Sequence, residues 1–237
     1  MEIVRYADRP DVRARRRDEF AGDFPEYLFH NAMGWRYWGL LYERYPELQL
    51  AVLDEDKLVG EVHAVRTPVG DELPSGWDEA FEQGMENEGG NLVSLLAISV
   101  HPTHRGKGIP ALLIGESLDA AGVDVIAPVR PTLKSLYPLT PIERYMEWRR
   151  DDGSHFDPWL RTHERVGGVI VAPAPRSMTM EAPVEDWQAW TGMEFPEDGT
   201  YVVPAMLSVL EVRDGLGLHV EPNVWVRHSS TKPTSST

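Results

Sequence analysis

The sequence predicts a mixed α/β fold of the α+β kind, and three observations carry the prediction. The apolar run Asn91–Val100, a glycine loop, a helix-forming run from about Pro110 to Ala121 and the apolar run Val123–Val129 form a β-α-β order. That order normally makes a parallel strand pair. The runs Leu48–Leu53 and Leu58–Val65 flank a turn at Asp54-Glu-Asp56 and read as a hairpin. The rest of the chain continues to mix strand-like and helix-like runs without an internal repeat.

In chain order, residues 2–6 alternate as a first strand. Asp8-Arg-Pro10 starts a polar, arginine-rich helix that ends near Ala21. Trp35, Trp38, Leu41 and Tyr42 recur at helical spacing and predict a helix over 34–45. Residues 70–90, rich in Gly, Glu and Asp, read as an exposed insertion with one short helix. Gly122 is the C-cap of the helix after the glycine loop. Thr140-Pro-Ile-Glu143 has the form of a capping box that starts a helix running to about Arg150. Asp157-Pro158 starts another, ended by Gly167-Gly168. Val169–Val171 and Ser177–Glu181 read as strands, Glu185–Trp190 as a short helix, and 201–212 with 216–226 as a final pair turning at Asp214-Gly215.

Composition narrows the function. The net charge of −15 disfavours a nucleic-acid partner, because such a chain repels phosphate backbones. An anionic ligand therefore needs a locally basic site, and His101-Pro-Thr-His-Arg-Gly-Lys107 is one, with no acidic residue between Asn91 and Glu116. The chain has no cysteine, which removes disulfides, thiolate metal sites and a cysteine nucleophile. The histidines show no paired ligand spacing, so no metal is expected. No run is long enough to span a bilayer, and Met1–Tyr6 lacks signal-peptide character; the expectation is a cytoplasmic protein without a membrane partner. Lysine occurs only at 57, 107, 134 and 232, so arginine dominates, as in GC-rich bacterial genomes.

The segment Ile98-Ser-Val-His-Pro-Thr-His-Arg-Gly-Lys-Gly-Ile-Pro-Ala111 supplies a strand end, a glycine loop and a helix start. Backbone N–H groups at a helix start bind phosphate, and glycine lets the backbone approach. These residues resemble the pyrophosphate loop of the GNAT superfamily of acyl-coenzyme A N-acyltransferases, R-x-x-G-x-[GA] preceded by V-x-P. Arg105 and Gly108 match the loop, and Val100 with Pro102 match the approach. Pro110 replaces the usual Gly or Ala and removes one donor.

The resemblance implies a mostly antiparallel sheet, splayed near Val100 with the cofactor in the gap and helices on both faces. Ile98, Ser99 and Val100 would run along the pantetheine arm. Arg105 and the amides of Gly106, Lys107, Gly108, Ile109 and Ala111 would hold the phosphates. Tyr137 falls where many members place the proton donor for the leaving thiolate, with Arg130 in the place of a frequent Asn; the alternatives are that Tyr137 merely packs, or that its neighbours Ser135 and Lys134 serve instead or bind the substrate. The base is unassigned, with Glu61, His63 and Glu88 as candidates. A GNAT-like domain would span 1–228, with a cofactor core at about 48–130, a helical insertion at 131–166, a sheet extension at 183–228 and a flexible tail at 229–237. The insertion is expected to set acceptor specificity, through one or two of Arg144, Arg149, Arg150, Arg161 and Arg165.

The implied co-substrate is acetyl-CoA or another acyl-CoA, and the favoured activity is N-acyl transfer to a small-molecule amine by direct attack. S- or O-acyl transfer involving a carrier protein, and a non-catalytic coenzyme A-binding module, are the alternatives. The oligomeric state is open, with a homodimer as one option.

Overall fold

The computed structural model describes residues 1–20 and 24–230. The expected helix end near Ala21 and most of the 229–237 tail lie outside them. β1 (Glu2–Arg5) leads to α1 (Pro10–Glu19), with proline in its first turn as expected. The helix expected over 34–45 is broken into α2 (Ala32–Tyr37), a 3-10 turn at Trp38–Leu40 and α3 (Leu41–Arg44). Gly39, a poor helix former, lies in the break. Trp35, which shares the apolar spacing, is 74% exposed.

β2 (Leu50–Asp54) and β3 (Lys57–Thr67) form the predicted hairpin. α4 (Trp77–Glu86) lies in the segment read as an exposed insertion, but it buries Trp77, Ala80, Phe81, Gly84 and Met85. The apolar spacing over two turns outweighs the acidic composition that suggested exposure. β4 (Leu92–Val100), α5 (Ile109–Ala121) and β5 (Val125–Val129) give the expected β-α-β unit, and Gly122 ends α5 at φ 65.

α6 (Ile142–Tyr145) is a single turn and does not reach Arg150. Pro141 occupies the cap position in place of Thr140, no side chain caps it, and the chain turns back through an Arg149↔His155 bridge. α7 (Pro158–Arg165) starts as predicted, with the Asp157 carboxylate accepting from the Trp159 N–H at 2.8 Å and the Leu160 N–H at 3.3 Å. The two strands expected over 169–181 are one strand, β6 (Val169–Pro183), whose second register shift, between Ala174 and Met178, takes up Pro175. α8 (Val184–Thr191) follows. β7 (Gly199–Tyr201) and β8 (Leu210–Arg213) replace the single strand expected over 201–212; Pro204 and Ala205, at φ 68, lie between them. Asp214-Gly215 turns the chain into β9 (Leu216–His228).

Among the described residues, nine strands make one sheet in the order β1-β2-β3-β4-β5-β9-β8-β7, with β6 on the other side of β9. Among the described strands only β4 and β5 pair in parallel. The long β9 is shared: Val224–His228 pair with β5 and Leu216–His219 with β8, while β6 runs along its other edge. The C-terminal strand is thus next to the β-α-β unit.

Helices cover both faces. A Cβ at Gly60 of β3 would lie 2.5 Å from Ile109 Cγ2, so α5 packs there against bare backbone. Gly84 of α4 meets Val65 in the same way. Gly60 and Val65 are an odd number of positions apart and face opposite sides of the sheet. Among the described residues, no helix is long and apolar enough to cross a membrane.

Candidate active site

The parallel pair is short. Val93 pairs with Val125 and Ser94 with Ile126, and beyond these residues the strands part. The split therefore begins at Leu95, earlier than the expected place near Val100. Parting leaves backbone groups of both strands facing a gap, where an extended ligand can satisfy them as an added strand would.

A cleft of about 580 Å³ fills the gap. Leu95–Val100 form one wall and Ala127–Arg130 with Thr132 the other. Arg105, Gly106 and Pro110 border it at the loop, and Pro158, Trp159, Thr162 and His163 from the start of α7 close over it. Ile98, Ser99, Val100, Arg105 and Gly106 thus meet at one place, while Lys107, Gly108, Ile109 and Ala111 are not among the lining residues.

β4 is bulged where it borders the cleft. Ala97 pairs with His63 and Leu95 with Ala64, so Leu96 is an extra residue. The Leu96 carbonyl accepts from Trp77 Nε1 at 2.8 Å. The Trp77 N–H in turn donates to Ser177 Oγ at 2.9 Å. α4, read from sequence as peripheral, braces the cleft wall.

The glycine loop is pinned at its start and open at its end. The His101 N–H donates to the Val59 carbonyl at 3.0 Å, and His104 Nε2 lies 3.0 Å from Asp54 Oδ2. The His104 hydrogen bond holds the Asp54 carboxyl below its usual range. Gly106 and Gly108 both adopt φ 79, which an L side chain resists, and a Cβ on either would meet nothing within 4 Å. Gly108 is the α5 N-cap and no side chain caps the helix. Among the described residues, the N–H groups of Gly106, Gly108, Ile109 and Ala111 have no hydrogen-bond partner. The Lys107 N–H is spent inside the loop on the His104 carbonyl at 3.3 Å, which leaves its exposed side chain for an anion. Ile109 offers only its N–H, because its side chain is buried on Gly60. Four open donors at a helix start, beside two parted strands, fit a pyrophosphate with an extended arm.

Tyr137 does not line the cleft. Its ring packs edge-on against Trp148 at 4.9 Å and near Phe156 and Tyr145, and it is 36% exposed. Glu61 and His63 do not line it either. Both are buried: Glu61 accepts two hydrogen bonds from Arg16, at 2.6 and 2.9 Å, and one from the Tyr6 hydroxyl at 2.5 Å. Burial pushes the Glu61 carboxyl up, but His63 and Arg16 outweigh it and hold the group well below the carboxylate range. Glu88 is exposed in a turn. The arginines expected to read the substrate are also elsewhere: Arg149 pairs with Glu164 at 2.9 Å, Arg161 donates to the carbonyls of His155 and Phe156, and none of the five lines the cleft.

The cleft residues that sequence reasoning missed include Phe24, Leu95–Ala97, Ala127–Val129, Thr132 and those of α7. The Asp157-Pro158 cap announced the helix, but nothing local told that one of its faces roofs the gap. His163, on that face, hydrogen bonds His228 of β9 with Nδ1 and Nε2 2.9 Å apart. Burial pushes His163 down to about 3, aided by His228, and pushes His228 down to about 4. Among the described residues, no group of His, Asp and Glu is placed to hold a metal.

No protein-family profile matches the chain. It is 30% identical, over 246 aligned residues, to the arginine N-acetyltransferase avaD of Aspergillus versicolor; the alignment covers 86% of this chain and 84% of that protein. Among solved structures, the GNAT-like decarboxylase GphF in complex with isobutyryl-CoA superposes with a TM-score of 0.64 at 19% identity, covering 98% of this chain and all of that one. The loading GNATL domain of CurA from Lyngbya majuscula superposes with a TM-score of 0.61 at 18% identity, covering 97% of each chain. These two likenesses bear on the fold.

Proposed function

The chain belongs to the GNAT superfamily of acyl-coenzyme A-dependent N-acyltransferases, and from that premise we propose that it moves a short acyl group, acetyl or a close relative, from acyl-CoA to a small-molecule amine by direct attack. The observation that carries the reading is the cleft between the parted β4 and β5, which Gly106 borders next to the open N–H groups of Gly108 and of Ile109 and Ala111 at the start of α5. In this reading Gly106, Gly108, Ile109 and Ala111 hold the pyrophosphate through their amides, with Arg105 and Lys107 adding charge. The backbone of Ile98–Val100 bonds the pantetheine arm. The acyl carbon lies deeper in the gap, where the Leu96 bulge re-aims the strand.

The amine nitrogen attacks the thioester carbonyl, the C–N bond forms and the C–S bond breaks. One proton leaves the nitrogen and one reaches the departing thiolate. The chain has no cysteine to carry a thioester-linked acyl group, which agrees with direct attack. No carboxylate lines the cleft among the described residues, and the group that takes the amine proton is left unassigned. The Aspergillus versicolor relative acts on arginine by name, which makes a free amino acid the first acceptor to try.

Calorimetric titration with coenzyme A, acetyl-CoA and succinyl-CoA, followed by a thiol-release assay with amines, tests the proposal. Saturable binding near one per chain and amine-dependent thiol release are expected. A folded protein that binds none of the three would sink it.

A further inference from the structure

The charged residues in the described lining of the cleft are of one sign. Its described lining includes Arg105 and Arg130 and no aspartate or glutamate, in a chain of net charge −15. Arg105 stands beside the glycine loop, where the phosphates of coenzyme A account for it. Arg130 stands on the opposite wall, immediately after β5, and the phosphate site leaves it unexplained.

The Arg130 guanidinium is fixed on two sides. Nε donates to the Glu221 carboxylate, which is fully buried and accepts again from His219 Nε2 at 2.8 Å. Nη2 donates to the Ala205 carbonyl at 2.6 Å and to the Tyr27 hydroxyl at 3.1 Å. Nη1 has no hydrogen-bond partner among the described residues, and it is not one of the buried polar atoms left unpaired. It is therefore an accessible donor on a residue that borders the cleft, on a side chain that cannot swing away. Lys134 adds a second positive charge to the cluster. It is fully buried, and its Nζ donates to two carbonyls, Tyr137 at 2.9 Å and Leu207 at 2.6 Å, with no carboxylate in contact among the described residues. Two cations against Glu221 leave the cluster short of one negative charge.

We propose that Arg130, through Nη1, binds a carboxylate of the substrate in the acyl-transfer cleft, so that the enzyme selects a carboxylate-bearing partner. The proposal rests on the acyl-transfer reading and deepens it. The carboxylate has two sources: the α-carboxylate of an amino-acid acceptor, or the terminal carboxylate of a dicarboxylic acyl chain. Recognition of substrate charge then falls to the end of β5, in place of the arginines of 144–165.

The experiment compares two ligand pairs by calorimetry on the full chain. One pair is succinyl-CoA against acetyl-CoA. The other, on protein saturated with coenzyme A, is L-arginine against agmatine, which keeps the amine and the guanidinium but lacks the carboxylate. A charge-assisted hydrogen bond predicts about tenfold tighter binding of the carboxylate member in one pair. A preference within the first pair places the carboxylate on the acyl chain, and within the second on the acceptor. Arg130→Lys keeps a cation beside Glu221 and is expected to bring the preferred pair to within about threefold, with acetyl-CoA affinity little changed. Equal affinities within both wild-type pairs, or a preference that survives Arg130→Lys intact, overturn the proposal. Were Arg130→Lys unfolded, the wild-type pairs still decide. A carboxylate preference without thiol release to any amine would sink the acyl-transfer reading alone, and thiol release with no preference would sink the Arg130 assignment alone. Binding of no coenzyme A species overturns both.

Discussion

His163 Nδ1 and His228 Nε2 lie 2.9 Å apart, with both rings buried, and so join the roof of the cleft to the strand beside β5. One hydrogen serves that contact, which survives a first added proton on an outward nitrogen; only protonation of both rings would set two N–H groups against each other. Burial holds the two groups near 3 and 4, below the ordinary histidine value, so the unfolded chain takes up protons first as pH falls. Stability is then full above about pH 6.5 and falls as pH drops toward the folded values. The pair is expected to contribute roughly 2–5 kcal/mol of acid sensitivity between pH 7 and pH 4. Urea unfolding across this range checks it: His228→Leu should give a shallower pH slope than the wild type, and equal slopes would remove the pair as the cause.

That contact also shows where the sequence stops informing. The glycine loop was legible because its needs are local: two residues at positive φ, then a helix start. The Asp157 cap was legible for the same reason. The roles of α4 and α7 were not, since Trp77 reaches Leu96 and His163 reaches His228 across the fold. The acidic composition of 70–90 hid the apolar spacing of Trp77, Ala80, Phe81 and Gly84. Gly60 carried an unread signal, because a glycine within a strand marks a close approach, here by α5.

Glu61 depends on Arg16. The carboxylate is almost fully enclosed, and Arg16 supplies two of its hydrogen bonds. Removing the cation leaves a buried charge short of a partner, a change that typically costs about 3–5 kcal/mol. Arg16→Met is expected to lower unfolding stability by about 3 kcal/mol at pH 7. The Arg16→Met, Glu61→Gln double variant should recover part of that, because the uncompensated charge is gone. Chemical denaturation of the two variants measures it, and a loss under about 1 kcal/mol for Arg16→Met would show that Tyr6 and His63 suffice.

Gly108 separates folding from binding. Its φ of 79 penalises any side chain, by about 1–2 kcal/mol of stability. The space around its Cβ is open, so no clash within the protein adds to that. The side chain of Gly108→Val would stand over the N–H groups proposed to meet the pyrophosphate. Coenzyme A affinity should then fall at least about tenfold, equivalent to about 1.4 kcal/mol, in protein still folded by thermal unfolding. Unaltered affinity would remove the loop from the site.

Tyr137 is the residue on which sequence position and geometry pull apart. Its place after β5 suggests a proton donor, while its ring is part of an aromatic cluster with Trp148, Phe156 and Tyr145 and does not border the cleft. Its hydroxyl has no hydrogen-bond partner among the described residues, so nothing holds the proton in a set direction. Tyr137→Phe keeps the ring and deletes only the oxygen. Because geometry precedes pKa in identifying a proton donor, packing is the better-supported role, and kcat is expected to stay within about twofold of the wild type. Tyr137→Ala should instead lose about 3 kcal/mol of stability by emptying the cluster. Single-turnover thiol release decides the matter: a drop of about a hundredfold in Tyr137→Phe at unchanged acetyl-CoA affinity would make Tyr137 the acid, and would require the 131–145 segment to move against the cleft when substrate binds.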